Sequence, residues 1–201
     1  HVFTLPPEGI SGDYYDWHII DGRRIGILAA DIVGHGVPAA MIASTLEVLF
    51  SLVRNMADSP APLLQAMNDM LMGRNISQFI TASYTYIDLD AREIVYANAG
   101  HPPFFILPRG ADEPIVADAK GRAMGWMKDI RCAQRTLPLR PGDRLVVYTD
   151  GIIECRSARG ELFGEKRLVS CLRGWRDLPG EELAKRPIHR NLVTLLEVEQ
   201  P

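Results

Sequence analysis

Residues 78–100 read "QFITASYTYIDLDAREIVYANAG". Apolar and β-branched residues alternate with polar ones through 78–89, and again through 92–100. The polar "DLDARE" lies between the two runs. That period of two, broken by turn residues, predicts two antiparallel strands joined by a hairpin. Working outward, "PFFIL" (103–107) continues as a further antiparallel strand. "RCAQRTLPL" (131–139) and "DRLVVYTDG" (143–151) read as another strand pair turned by "RPGD".

Upstream, "YYDWHII" (14–20) and "RIGILAAD" (24–31) are β-rich runs flanking an Asp21-Gly22 turn. After "GHG" (34–36) the period lengthens. Pro38 suits a first helical turn, and Ile42, Leu46, Leu49, Val53 and Met56 recur at three and four residues, the apolar face of a long helix. Ser59 as N-cap and Pro60 at the first position start a second helix, running to about Gly73. "GEKRLVSCLRGW" (164–175) and the short "PGEELAK" read as helices, and "LVTLLEV" (192–198) as a closing strand. Strand pair, two helices, hairpin-linked strands, helix, strand is not the alternation of a parallel sheet. It predicts an α+β antiparallel β-sandwich flanked by helices.

The 201 residues, 47% hydrophobic and 23% charged, suit one globular domain over 1–201. A net charge of −3 gives no electrostatic support for a nucleic acid or an acidic membrane as partner. No apolar run approaches the ~20 residues that span a bilayer. Cys132, Cys155 and Cys171 are odd in number and scattered, which fits a reducing cytoplasm better than a disulfide framework. The chain opens "HVFTLPPEG" without Met, and is expected to be excised from a longer protein.

Three carboxylates sit where strands begin or end: Asp13 in "SGDYYD", Asp31 in "AADIVGHG" and Asp150 in "VVYTDG". Brought together, bare carboxylates repel and need a counter-charge, which a hard divalent cation supplies. Taken singly, Asp13 and Asp150 read first as turn residues, and periodicity alone does not make the three converge. Asp16 has two readings, as a support for Asp13 or as a strand cap. Trp17, Trp126 and Trp175 read as core or interface residues, and Met41, Met56, Met67, Met70 and Met72 as helix packing.

Five blocks, "GDYYD", "ADIVGHGVPAAM", "ANAGHPP", "GDRLVVYTDGIIE" and "GELFGEKRL", stand in the order seen in bacterial PPM-type (PP2C-like) serine/threonine phosphatases of the SpoIIE/RsbU subtype, which the chain resembles from about residue 2 to 198. The resemblance implies a protein phosphatase holding two Mn²⁺ or Mg²⁺ ions, with a bridging hydroxide as nucleophile. Residue by residue, it assigns metal binding to Asp13, Asp31, the backbone carbonyl of Ile32, and Asp150. Where the family closes on "DDxT" this chain reads "NLVT", so Asn191 stands in the place of a ligand Asp, and affinity at one metal position is expected to fall. His35 has a reading as general acid and another as part of a glycine-freed turn. His101 in "AGHPP" reads as a structural histidine.

By the same resemblance the substrate is a phosphorylated STAS-type anti-sigma-factor antagonist, and an upstream sensor or receiver domain controls the enzyme; a homodimer is left open. The competing reading is a pseudophosphatase that binds such a partner with weak or no turnover, because of Asn191.

Overall fold

The computed structural model describes residues 2–3, 12–73, 78–157, 159–179, 182 and 193–197. In chain order the elements are β1 (Val2–Phe3), β2 (Asp13–Asp21), β3 (Arg24–Ile32), α1 (Val37–Leu52), a 3₁₀ turn (Arg54–Met56), α2 (Pro60–Met72), β4 (Ile80–Asp88) and β5 (Glu93–Ala99). There follow β6 (Phe104–Leu107), β7 (Ile115–Ala117), β8 (Gln134–Pro138), β9 (Arg144–Tyr148), the single-turn α3 (Asp150–Ile153), α4 (Gly164–Trp175) and β10 (Val193–Glu197). The α+β class is as expected, with two five-stranded antiparallel sheets. The helix expected over "PGEELAK" falls largely outside the described residues.

The chain divides into two compact units. The larger comprises Glu8–His101 and Asp118–Leu139, with strand order β2-β3-β4-β5-β8 and both long helices. Leu28, Ala30 and Ile32 of β3 and Ile80, Ala82 and Tyr84 of β4 pack with Ile42, Leu46, Leu49 and Phe50 of α1 and Leu63, Leu64 and Met67 of α2. These strand residues alternate with the others, so one sheet face is the helix-packed core and the other is separate from it. The outer side of α1 leaves Val37, Met41, Val48 and Leu52 exposed. Met41 is therefore not packing material, and Trp17 and Trp126 are likewise exposed rather than core.

Both helices carry a proline in the first turn, as expected, Pro38 second in α1 and Pro60 first in α2, but Ser59 makes no side-chain cap: its hydroxyl donates to Asp58 at 3.0 Å. The smaller unit comprises His1–Pro7, Pro102–Ala117 and Arg140–Pro201, with strand order β1-β10-β9-β6-β7. Phe105, Val146 and Tyr148 pack there with Leu168 and Leu172 of α4.

Two expected pairings are corrected. The "PFFIL" strand does not continue the hairpin of β4 and β5, but pairs with β7 and β9 in the other sheet. Nor do the strands around "RPGD" pair with each other: β8 pairs with β5, and β9 with β6 and β10. The turn itself forms, Asp143 N–H donating to the Arg140 carbonyl at 3.0 Å. Pro141 precedes Gly142 at φ 87°, the type II arrangement, whose twist splays strands rather than folding them into a hairpin. The buried Asp143 carboxylate locks this link by accepting from Arg140 N–H at 2.9 Å and Arg109 N–H at 3.1 Å.

Candidate metal centre

β2 and β3 place Asp13 directly opposite Asp31. Residues paired in this way lie on one face with Cβ atoms roughly 4.5–5.5 Å apart, where two like charges destabilise the pair. The partner Tyr14–Ala30 belongs to the helix-packed face, so the two carboxylates lie on the opposite face. Both are half-buried, which strengthens the interaction between two like charges held this close.

The neighbouring backbone is arranged around a glycine. Ile32 N–H donates to the Gly12 carbonyl at 3.1 Å, and a Cβ on Gly12 would lie 2.3 Å from the Ile32 carbonyl oxygen and 3.1 Å from that of Gly34. Only glycine leaves that approach open. The Ile32 side chain is committed to the core, 1% exposed, so its backbone alone can serve a site. Two carboxylates and a carbonyl make an all-oxygen donor set, suited to Mg²⁺ or Mn²⁺. Among the described residues no group of three or more His, Cys, Asp or Glu side chains is gathered that could hold an ion by itself.

Asp150 lies in the smaller unit. It was expected to end a strand; β9 stops at Tyr148, and the half-buried Asp150 instead opens α3, its carbonyl accepting from Glu154 N–H at 2.9 Å. Asn191 lies outside the described residues. His35 is exposed between Gly34 at φ 113° and Gly36 at φ 77°, so the backbone displays the turn reading of "GHG". Asp16 is on the helix face with Tyr14, so it does not support Asp13. It accepts from Trp17 N–H at 2.7 Å and from the Tyr14 hydroxyl at 3.3 Å, and lies 4.0 Å from Arg54.

Beyond the expected residues, a buried polar group lines the same unit. Thr81 is paired with Asp31, and its hydroxyl lies 3.1 Å from His101 Nδ1. Asn98 clamps the His101 backbone from both sides, accepting from its N–H and donating to its carbonyl, each at 2.7 Å. His101 is buried in this network, as the structural reading expects. Thr81 and Asn98 escaped the sequence reading. Their signal was the polar alternation itself, Thr81-Ser83-Thr85 inside an apolar strand.

On the helix side, His18 stacks edge-on against Phe50 with ring centroids 5.3 Å apart, and neither ring nitrogen has a hydrogen-bond partner among the described residues. Burial, then the Arg54 charge, lower its pKa, against a smaller opposing effect of Asp16; the Tyr84 ring also lies beside it, with centroids 6.5 Å apart. As the pH falls the unfolded chain therefore takes up this proton first. Stability is full above about pH 6.5 and declines below it, towards the folded-state pKa. Urea unfolding at about pH 7 and about pH 5.5 checks this: wild type should lose more stability than His18→Phe, and equal losses would remove His18 as the cause.

The larger unit thus combines an antiparallel sheet packed by helices on one face with two opposed carboxylates on the other. The profile of the Stage II sporulation protein E (SpoIIE) family matches residues 21–193. The chain belongs to that family. Phosphoserine phosphatase RsbU of Bacillus subtilis (strain 168) is 31% identical over 162 residues, covering 80% of this chain and 48% of RsbU. The chain thus spans about half the length of that relative. Among solved structures, the SiaA-PP2C domain of Pseudomonas aeruginosa superposes with TM-score 0.83 at 20% identity, over 100% of this chain and 85% of that one. The catalytic domain of the serine threonine protein phosphatase PstP, solved in complex with 2 manganese ions, gives TM-score 0.63 at 14% identity, over 99% and 96%. The fold is that of PP2C-like phosphatase domains.

Proposed function

We propose that this chain is the catalytic domain of a metal-dependent phosphoserine/phosphothreonine protein phosphatase. The observation that carries the reading is the direct opposition of Asp13 and Asp31 on one sheet face, an oxygen-donor pair suited to share a divalent cation. Asp13, Asp31 and the Ile32 carbonyl would hold the ions on the β2–β3 side. Asp150 and Asn191 are added by their match to the family pattern. Two Mn²⁺ or Mg²⁺ ions would supply a water acidic enough to act near neutral pH and positive charge for the phosphoryl oxygens. What the chain itself does is position. The Asp13–Asp31 register fixes the spacing of the charges, Gly12 keeps the Ile32 carbonyl unobstructed, and Gly34 and Gly36, at φ 113° and 77°, turn the chain sharply from β3 into α1.

RsbU is named a phosphoserine phosphatase, and by kinship with it the proposed substrate is a phosphorylated STAS-type anti-sigma-factor antagonist in the bacterial cytoplasm. An upstream sensor or receiver domain would govern the activity, and a homodimer is one arrangement for it. Asn191 favours a second reading, a pseudophosphatase, because a neutral amide supplies less field than a carboxylate.

The test is phosphate release from a phosphoserine protein and from p-nitrophenyl phosphate, with Mn²⁺ and with EDTA. The enzyme reading expects turnover with Mn²⁺ alone. No turnover in either condition, with activity restored by Asn191→Asp, would establish the pseudophosphatase.

A further inference from the structure

The carboxylate face of the larger sheet carries more than the carboxylates. Asp13 of β2 pairs with Asp31 of β3, and Asp31 with Thr81 of β4, so three adjacent strands present Asp, Asp and Thr in one row. His101 extends the row, with Nδ1 3.1 Å from the Thr81 hydroxyl and the residue only 5% exposed. The chain reaches that place by turning at Gly100, φ 81°, which forms a parallel bridge to Ala82 beside Thr81. Asn98 then holds the His101 backbone with two 2.7 Å bonds, and its amide also donates to the Tyr96 hydroxyl at 2.9 Å.

We propose that Thr81 and His101 are positioning residues for the metal-binding carboxylates: His101 fixes the rotamer of Thr81, and Thr81 fixes the setting of Asp31. The inference rests on the metal-dependent reading above. A threonine χ1 has few allowed wells, and a hydrogen bond to a clamped ring selects one of them. Asp31 then has a defined neighbour at cross-strand distance, roughly 4.5–5.5 Å between Cβ atoms, instead of a rotating one. Packing alone does not account for the network. Apolar residues at 81 and 101 would fill the same space with no polar group to satisfy, whereas here the Thr81 hydroxyl and His101 Nδ1 meet at 3.1 Å. Hydrogen-bonded supports behind metal ligands typically change affinity about 10–100-fold when removed.

Titration calorimetry with Mn²⁺, beside thermal unfolding in EDTA, tests this without reference to turnover. Thr81→Val removes the hydroxyl at nearly constant shape, and Thr81→Ser keeps it. Thr81→Val should bind Mn²⁺ about tenfold or more weakly, and Thr81→Ser within about twofold of wild type, with both unfolding in EDTA near the wild-type midpoint. Should Thr81→Val fail to fold, His101→Leu, which deletes the same bond from the other side, decides in its place with the same expected loss. Wild-type affinity in the deciding variant overturns this inference and leaves the phosphatase reading standing. A wild type that takes up no more Mn²⁺ than Asp31→Asn overturns both.

Discussion

Asp31→Asn is expected to lower Mn²⁺-dependent phosphate release by roughly 10³-fold, the equivalent of about 4 kcal/mol of transition-state stabilisation. The size follows from what the residue is proposed to supply. A cation beside a transferring phosphoryl group is worth several kcal/mol, and the pair Asp13–Asp31 is the part of the site whose charges the register brings together. An amide of the same shape keeps the packing and removes one formal charge. The stability effect should run the other way. Without metal the two carboxylates repel across β2 and β3, so Asp31→Asn should be more stable than wild type in EDTA by about 0.2–1 kcal/mol. With Mn²⁺ present the order should reverse, since only wild type gains binding free energy from the ion. Steady-state kinetics and urea unfolding in the two conditions read both quantities. A variant that loses Mn²⁺-dependent activity and is also less stable than wild type in EDTA would make Asp31 a structural residue.

Much of this arrangement was legible in the sequence, and one step was not. The runs at 14–20 and 24–31 gave β2 and β3, and the apolar spacing from Ile42 gave Leu46 and Leu49 on the buried face of α1, though it missed the equally enclosed Phe50 and ran past the helix end at Leu52 to Val53 and Met56. Local periodicity determines such elements because it reports which side of one strand or helix is apolar. Partnership between strands distant in sequence is different. Nothing in the period of "PFFIL" says that β6 joins β9 and β7 instead of β5.

The register at the carboxylates depends on an irregularity of the same kind. The Asp21↔Arg24 pair, carried regularly along the hairpin, would set Asp13 against Ile32. A bulge at Ile20 shifts the ladder by one, and Asp13 meets Asp31 instead. A slip of one residue reverses the faces of a strand, so the site owes its geometry to a bulge that alternation cannot reveal. Thr81 and Asn98 were hidden for a related reason: a polar residue in a strand is unremarkable until its neighbours are known.

The largest loss of stability is expected from Gly121→Ala. A Cβ there would lie 1.8 Å from the Asn98 carbonyl oxygen, 2.8 Å from its carbon and 3.2 Å from Ala99 Cα. All three are backbone atoms of β5, whose Asn98 is paired with Ser83 of β4 and whose preceding Ala97 is paired with Gln134 of β8, so they cannot swing away as a side-chain tip would. The segment bearing Gly121 is itself tied down, by Arg122 N–H to the Ile130 carbonyl at 2.8 Å and Ala133 N–H to the Lys120 carbonyl at 2.7 Å. One of these two backbones must move. Overpacking of this kind costs typically 1–3 kcal/mol and sometimes more, and a clash with fixed main chain belongs at the upper end, about 3 kcal/mol. Gly174→Ala makes the same chemical change inside α4, where nothing lies within 4 Å, and should stabilise by about 0.5–1 kcal/mol through helix propensity. Opposite signs from one methyl group would separate close backbone approach from glycine's entropy as the reason for each residue. Because Asn98 also clamps His101, Gly121→Ala should weaken Mn²⁺ binding in whatever fraction remains folded, and Gly174→Ala should leave it unchanged. Should Gly121→Ala keep both wild-type stability and wild-type affinity, the seating of the 118–133 segment on β5 would have no part in holding the site.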